Sequence, residues 1–303
     1  MKENKKVLLA YLAVCFFWGS TYLAMKIGVE DLAPTILAGT RFLVAGSIML
    51  IYAKIKGLPF PVEKGDYINN AIVGSFMLLG ANGLVVYAEQ WVDSGVTSLM
   101  VSMVPIWIAI IELLVLRTIR LGYTGYIGLI LGMLGVYMLT NTNGGVQVID
   151  YKGVLILMIA TFLWSVGSIT SKYIKKKEAI IANIGFQMFF GGIGLAIASI
   201  ITGDIVSVHF TTKSILAVAY LITFGSIIGF SSYIYVLQKW PATKAGTYAY
   251  VNPAVAVILG MVFLKEPLTG SMILAMGIIL FGVYLVQRAK MIKKLDKNDH
   301  NTQ

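Results

Sequence analysis

The chain has little of what catalysis or metal chemistry requires. Its single cysteine, Cys15, excludes a disulfide within the chain, and a lone thiol inside an apolar run is packing material. The two histidines, His209 and His300, stand apart without further ligands at metal spacing, so neither a metal nor a cofactor is expected. No GxxxxGK[ST] phosphate loop occurs, which argues against direct coupling to ATP. A Gly-x-Ser-x-Gly elbow and a His-Glu-x-x-His helix are missing as well, so the chain is not read as an enzyme. Charge is scarce too: 13% of residues are charged, and 14 acidic residues face 24 basic ones.

What is present is apolar sequence. Soluble domains are about 45–50% apolar, whereas this chain is 58% apolar with a mean hydropathy of +0.82. So little polar surface does not cover a water-exposed globule. Charge-poor stretches of the length that crosses about 30 Å of hydrocarbon fall at 7–27, 34–53, 67–88, 95–115, 122–140, 153–172, 181–202, 213–237, 245–264 and 270–288. The first lacks a small-residue cleavage pattern after Trp18-Gly19-Ser20 and is read as a retained helix, not a signal peptide. These features predict an all-α polytopic membrane protein of ten transmembrane helices.

The net charge of +10 is placed by the membrane, not by nucleic acid. With the N-terminus in the cytoplasm, the inside segments hold 19 Lys and Arg and the outside ones four, Lys26, Lys152, Lys213 and Lys265. That bias predicts a cell-membrane protein with both termini cytoplasmic, its basic clusters facing anionic lipid headgroups.

The chain also repeats itself. A shift of 146 residues places Trp18 on Trp164, Lys26 on Lys172, Gly39 on Gly185, Arg41 on Gln187 and Gly46 on Gly192, and a shift of 148 places Pro105 on Pro253. Five spans per copy is an odd number, so the copies lie in opposite orientations, the inverted-repeat design of secondary transporters. The expected units are 7–140 and 153–288, followed by a basic cytoplasmic tail, 289–303.

Polar residues inside the spans are expensive and mark a path. Ser75, Asn82 and Glu89 are spaced by seven and share one helix face, as do Ser98, Pro105 and Glu112. Pro105 and Pro253 interrupt matching spans, and Tyr248 and Asn252 lie one turn apart beside the second break. Trp18 and Trp164 sit in mid-span, away from the interfacial belts that usually hold Trp. Arg41 lies in the outer half of the second span and Glu89 at the outer end of the third. They are either a structural ion pair or a substrate-carboxylate site whose partner gives way. The candidate cavity residues are Trp18, Tyr22, Arg41, Asn82, Glu89, Gln90, Trp164, Gln187, Tyr248 and Asn252, with Glu89 and Glu112 as candidate proton sites. Lys26 and Lys172 read as end anchors, Glu266 as a turn or pairing residue. The glycine-rich fifth and tenth spans read as scaffold or homodimer-contact helices.

Several segments resemble the EamA-type units of the drug/metabolite transporter superfamily, and they are most similar to its YedA-like subgroup. They are Trp18-Gly19-Ser20-Thr21-Tyr22, Ala38-Gly39-Thr40-Arg41-Phe42, Gly80-Ala81-Asn82-Gly83, Ala88-Glu89-Gln90, Ser94-Gly95, Val104-Pro105, Ser165 to Ser168, Tyr248-Ala249-Tyr250-Val251-Asn252-Pro253 and Lys265-Glu266-Pro267. The chain departs from the pattern at Asp93, where proline is expected, and at Lys265, where glycine is. The resemblance implies two inverted five-helix units, a central cavity, alternating access, and export of amino acids and related small metabolites. An importer of the same fold and a membrane sensor or scaffold remain the alternatives.

Overall fold

The computed structural model describes residues 2–117, 119–140, 151–173, 179–289 and 291–293. Nearly all of them lie in helical rods: α1 (Asn4–Gly28), α2 (Pro34–Ile55), α3 (Lys64–Ala88), α4 (Ser94–Val115), α5 (Tyr123–Thr140), α6 (Tyr151–Tyr173), α7 (Ile180–Thr202), α8 (Thr212–Lys239), α9 (Gly246–Leu264) and α10 (Gly270–Arg288). All but α5 and α10 are long and apolar enough to cross a membrane, eight rods by length and composition. The fifth and tenth expected spans coincide with the shorter apolar helices, Tyr123–Met138 and Gly270–Val286. An antiparallel ribbon of Ile119–Leu121 with Met291–Lys293 is the one strand pairing among the described residues. Residues 141–150, Thr118 and the residues beyond 293 lie outside those described.

Proline, lipid and glycine explain the shape. Pro34 opens α2 where its missing N–H has no helical partner anyway. Along α2, Val44, Ile48, Ile51 and Ile55 are exposed while Leu37, Phe42, Ala45, Gly46, Met49 and Ala53 are buried. That apolar outer face has no use for water and suits hydrocarbon. The protein is therefore a multi-pass membrane protein.

The buried face of α2 meets α7 in an antiparallel contact. A Cβ on Gly46 would lie 2.6 Å from the Phe189 nitrogen, and one on Gly192 would lie 2.7 Å from the Leu43 nitrogen. Shifting either pair by 146 residues gives the other. Gly39 approaches Leu195 and Gly185 approaches Leu50 further along the same two rods. The glycine faces of α5 and α10 are likewise filled by each other: Gly128 and Gly135 face Gly282 and Ile279. Small residues let helices gain dispersion contact where lipid supplies no hydrophobic drive.

The paired prolines do break their rods. In α4 the helix turns at Ser102 and Met103 just before Pro105, and in α9 a 3-10 stretch, Gly246–Tyr250, precedes Asn252-Pro253. Ser165 of α6 donates to the Val104 carbonyl at 3.2 Å, satisfying backbone beside the first break. Gly246 packs on the Pro105 ring, so the two breaks face each other. Wide π-helical turns also recur at Ser75–Asn82 and Leu221–Phe230, and at Ile111–Val115 and Gly260–Leu264.

The α2–α7 contact yields a paired prediction. Gly192→Ala is expected to destabilise the fold by about 1–3 kcal/mol through overpacking against Leu43. Gly277→Ala, whose new methyl meets nothing within 4 Å, is expected to hold or raise stability by up to about 1 kcal/mol from helix propensity. Thermal unfolding of both purified variants in one detergent checks the order.

Candidate functional site

Each lysine that ends a first-of-copy span clamps another helix. Lys26 of α1 donates through Nζ to the Glu89 and Val92 carbonyls at 2.8 and 2.9 Å. Lys172 of α6 donates to the Leu237 and Trp240 carbonyls at 2.8 and 2.6 Å. Both neutralise the exposed carbonyl end of a helix, where a cation is favoured. This is more than end-anchoring: the two clamps lie at opposite ends of the bundle and hold α3 and α8 in the same way.

Between these ends lies a cavity that opens to one side, walled by α1, α2, α3, α4, α6, α8 and α9, with about 580 Å³ of empty space counted together with its opening. Six of the ten candidate residues line it: Trp18, Tyr22, Arg41, Asn82, Trp164 and Tyr248. It also takes in Thr21 and Met25, which follow Trp18 at helical spacing and were readable from that periodicity. Phe42, Phe230 and Gly225 join the wall with no such signal in the sequence.

One side of the cavity is closed by aromatic packing. Trp18 meets Trp164 edge to face at 5.3 Å, Tyr248 at 5.1 Å and Tyr233 at 5.0 Å. Tyr233, fully buried and bonded to Ser168 at 2.9 Å, was not expected from the sequence. Trp18 also donates its indole N–H to the Gly225 carbonyl at 3.0 Å, and Gly229 gives its ring room against α8. Offset and edge-to-face rings of this kind hold one another in place.

Arg41 is 3% exposed and forms part of the wall. Its Nε donates to Ser226 Oγ at 2.7 Å, its Nη1 approaches Met25 Sδ at 3.8 Å, and its guanidinium carbon lies 4.8 Å from the centre of the Phe42 ring. Gly225 makes this possible, since a Cβ there would sit 2.6 Å from Nη2. Glu89 is not its partner. That carboxyl is fully buried at the end of α3, and neither oxygen has a hydrogen bond.

The remaining candidates lie elsewhere. Gln90 is exposed and donates to the Tyr87 carbonyl at 3.0 Å. Gln187 donates to Asn70 at 3.1 Å, and Asn70 donates to Asn183 at 2.9 Å, a buried amide cluster between α3 and α7 outside the cavity. Asn252, with its amide nitrogen turned inward, donates to the Tyr248 carbonyl at 3.2 Å and to the Cys15 carbonyl at 2.9 Å, bracing the break before Pro253. Glu112 is half-buried in α4, away from the cavity lining and within electrostatic reach of Lys172.

At the Lys26 end, Glu266 caps α4. Its Oε1 accepts from the Ser94 N–H at 2.8 Å, and its Oε2 accepts from Ser94 Oγ at 2.9 Å and from the Gly95 N–H at 3.2 Å. A carboxylate on a helix N-terminus is the favourable placement. The preceding residue, Lys265, stands at φ 56°, the left-handed conformation for which the pattern has glycine, and Arg117, 148 residues earlier, stands at φ 54°. Asp93 begins α4 beside them. Burial pushes its carboxyl above the usual aspartate range, the Glu266 carboxylate adds to that, and Lys26 pulls it back.

Comparison with known proteins agrees with this architecture. The EamA-like transporter family matches the chain twice, at residues 5–141 and 151–288. The chain is 35% identical to the uncharacterized inner membrane transporter YedA of Escherichia coli K12, over 93% of this chain and 91% of that one. It is 25% identical to the uncharacterized transporter YoaV of Bacillus subtilis 168, covering 92% and 96% of the two chains. A chloroplastic WAT1-related protein of Arabidopsis thaliana is 24% identical over 89% of this chain and 67% of its own length. A crystal structure 19% identical in sequence superposes with a TM-score of 0.67 over 92% of this chain and 96% of its own, and shares the fold.

A raised carboxyl favours the folded state only while protonated. The contribution of Asp93 is thus fully present below its ordinary value of 3.8 and is lost as pH rises through the raised one. Asp93→Asn, neutral throughout, is expected to unfold at a higher temperature than the wild type at about pH 8, with the gap closing toward about pH 4. Melting curves across that range read the difference directly.

Proposed function

Because the chain belongs to the EamA-like transporter family, we propose that it is a secondary active transporter of the cytoplasmic membrane, exporting amino acids or related small organic metabolites by alternating access. Its ten helices cross the membrane as two inverted five-helix units, 7–140 and 153–288, with both termini cytoplasmic. The two family matches, the exchange of partners across α2 and α7, and the two lysine clamps support that arrangement.

The observation that carries the reading is the cavity, walled by helices of both units and stopped on one side by the Trp18–Trp164 contact. Arg41 faces it, while Gln187, the matching residue, is held in the Asn70–Asn183 cluster. Inverted halves in unequal arrangements are what one state of an alternating-access carrier looks like. Rocking one unit against the other about the facing breaks at Pro105 and Gly246 would part the aromatic stop and close the Arg41 side.

Glu89 is the coupling site in this reading. It is buried without hydrogen bonds, near Tyr22 of the cavity wall and near Lys26, Asp93 and Glu266 at the outer end. A carboxyl so placed takes a proton from outside and gives it up inward as substrate leaves.

A metabolite profile of spent medium tests the proposal, comparing cells that express the wild type, Glu89→Gln, or an empty vector. A compound enriched outside by the wild type and at least tenfold less by Glu89→Gln is the expected result. Equal enrichment by both removes Glu89 from the mechanism, and no enrichment by either removes export.

A further inference from the structure

The charge inventory of the cavity is one-sided. Arg41 is the only ionisable Asp, Glu, Lys, Arg or His side chain among its lining residues. Among the described residues it has no carboxylate partner: its contacts are a hydroxyl, a thioether and a ring. A guanidinium offers five N–H donors, and Ser226 and Met25 engage two of its nitrogens. A second donor on the same wall, the Trp164 indole N–H, lies beside the Tyr233 and Tyr248 hydroxyls. The neutral acceptors on the wall include Asn82 Oδ1, buried without a partner, and the hydroxyls of Tyr22 and Tyr248. Between these polar points lie the rings of Trp18, Trp164, Tyr248 and Phe230.

Resting on the transporter reading above, and keeping from it the related small metabolites in place of amino acids, we propose that this cavity selects organic carboxylates that carry no protonated amine: a monocarboxylate on a flat apolar body. The carboxylate accepts from the free Arg41 nitrogens and cancels the buried charge. The body replaces water against the aromatic wall. Amino acids bring the same carboxylate but also an ammonium with three donors to satisfy. Neutral oxygens do not replace its hydration shell, and Arg41 repels it. Cations meet the same repulsion with no carboxylate among the lining residues to offset it. Asn82 Oδ1 is suited to a neutral hydroxyl or amide N–H on the body, which adds a point of selection without adding charge.

The test holds the ring constant and changes the charge. Purified protein is titrated with 3-phenylpropanoate, phenylalanine and 2-phenylethylamine, following tryptophan emission, to which Trp18 and Trp164 contribute from the cavity, together with the melting temperature. The expected result is saturable quenching and a raised melting temperature with 3-phenylpropanoate, binding of phenylalanine weaker by about tenfold or more, and no response to the amine. Arg41→Gln is expected to abolish the response and Arg41→Lys to keep part of it. Ser226→Asp provides a second route should Arg41→Gln fail to fold, because it retains the arginine and supplies an internal counter-ion, which is expected to abolish anion binding. The proposal is overturned if phenylalanine or the amine binds as tightly as 3-phenylpropanoate, if none of the three binds, or if Ser226→Asp or a folded Arg41→Gln leaves anion binding intact. Export of a zwitterion or cation in the medium profile would also overturn it while leaving the transporter reading standing. Loss of all export there, with anion binding retained here, would do the reverse.

Discussion

Backbone reaches backbone where α2 crosses α7, because Gly46 and Gly192 carry no side chain at the two points of closest approach. Lipid tails are as apolar as leucine, so these helices gain nothing from leaving a solvent; what holds them is dispersion at close range. A single methyl at either glycine would push against the main chain of the partner. The rest of the cavity depends on this distance. Arg41 is carried by α2, one turn and a residue before Gly46, and reaches Ser226 on α8 only because α2 is held at that depth. Gln187, on α7, is held against α3 by the same packing.

The second constraint is electrostatic. Backbone carbonyls at the end of a helix in a membrane must find donors in the protein. Lys26 and Lys172 meet that need for α3 and α8, so two charges that hydrocarbon would reject are spent on structure. Glu266 does the same for the N–H groups of α4. Arg41 and Glu89 are different. Both are buried, neither is bonded to the other, and their charged atoms are incompletely matched by what surrounds them. They stand apart from the lysine clamps and the Glu266 cap, whose charged groups are matched by named partners.

The two halves share a plan without being equal. The clamps, the prolines, the π-helical turns of α3 and α8 and of α4 and α9, and the left-handed residues Arg117 and Lys265 recur at matching positions, whereas the π-helical turn Val14–Trp18 has no counterpart in α6. Arg41, Glu89 and Glu266 do not recur, and all three lie toward the Lys26 end of the bundle. An asymmetric charge set on a near-symmetric frame gives the two ends different chemistry.

Composition and periodicity alone determined that this chain lives in a membrane, that it is helical, and that it repeats with Trp18 matching Trp164 and Lys26 matching Lys172. Those properties are local or additive: hydropathy sums along a span, and a repeat is visible as a shift. The same reading drew Trp18, Tyr22, Arg41, Asn82, Trp164 and Tyr248 together, because a polar or aromatic residue in mid-span has few other reasons to be there. It placed Gln90, Gln187 and Asn252 in the same group for the same reason and had no means of separating them. Only the tertiary structure decided that Gln187 binds Asn70, that Asn252 braces a backbone break, that Tyr233 completes the aromatic stop, and that Arg41 meets Ser226 instead of Glu89. Each of those outcomes depends on how far one rod is turned about its axis relative to another. That rotation is set by side-chain packing between distant segments, 185 residues apart for Arg41 and Ser226, where no local pattern in the sequence records it.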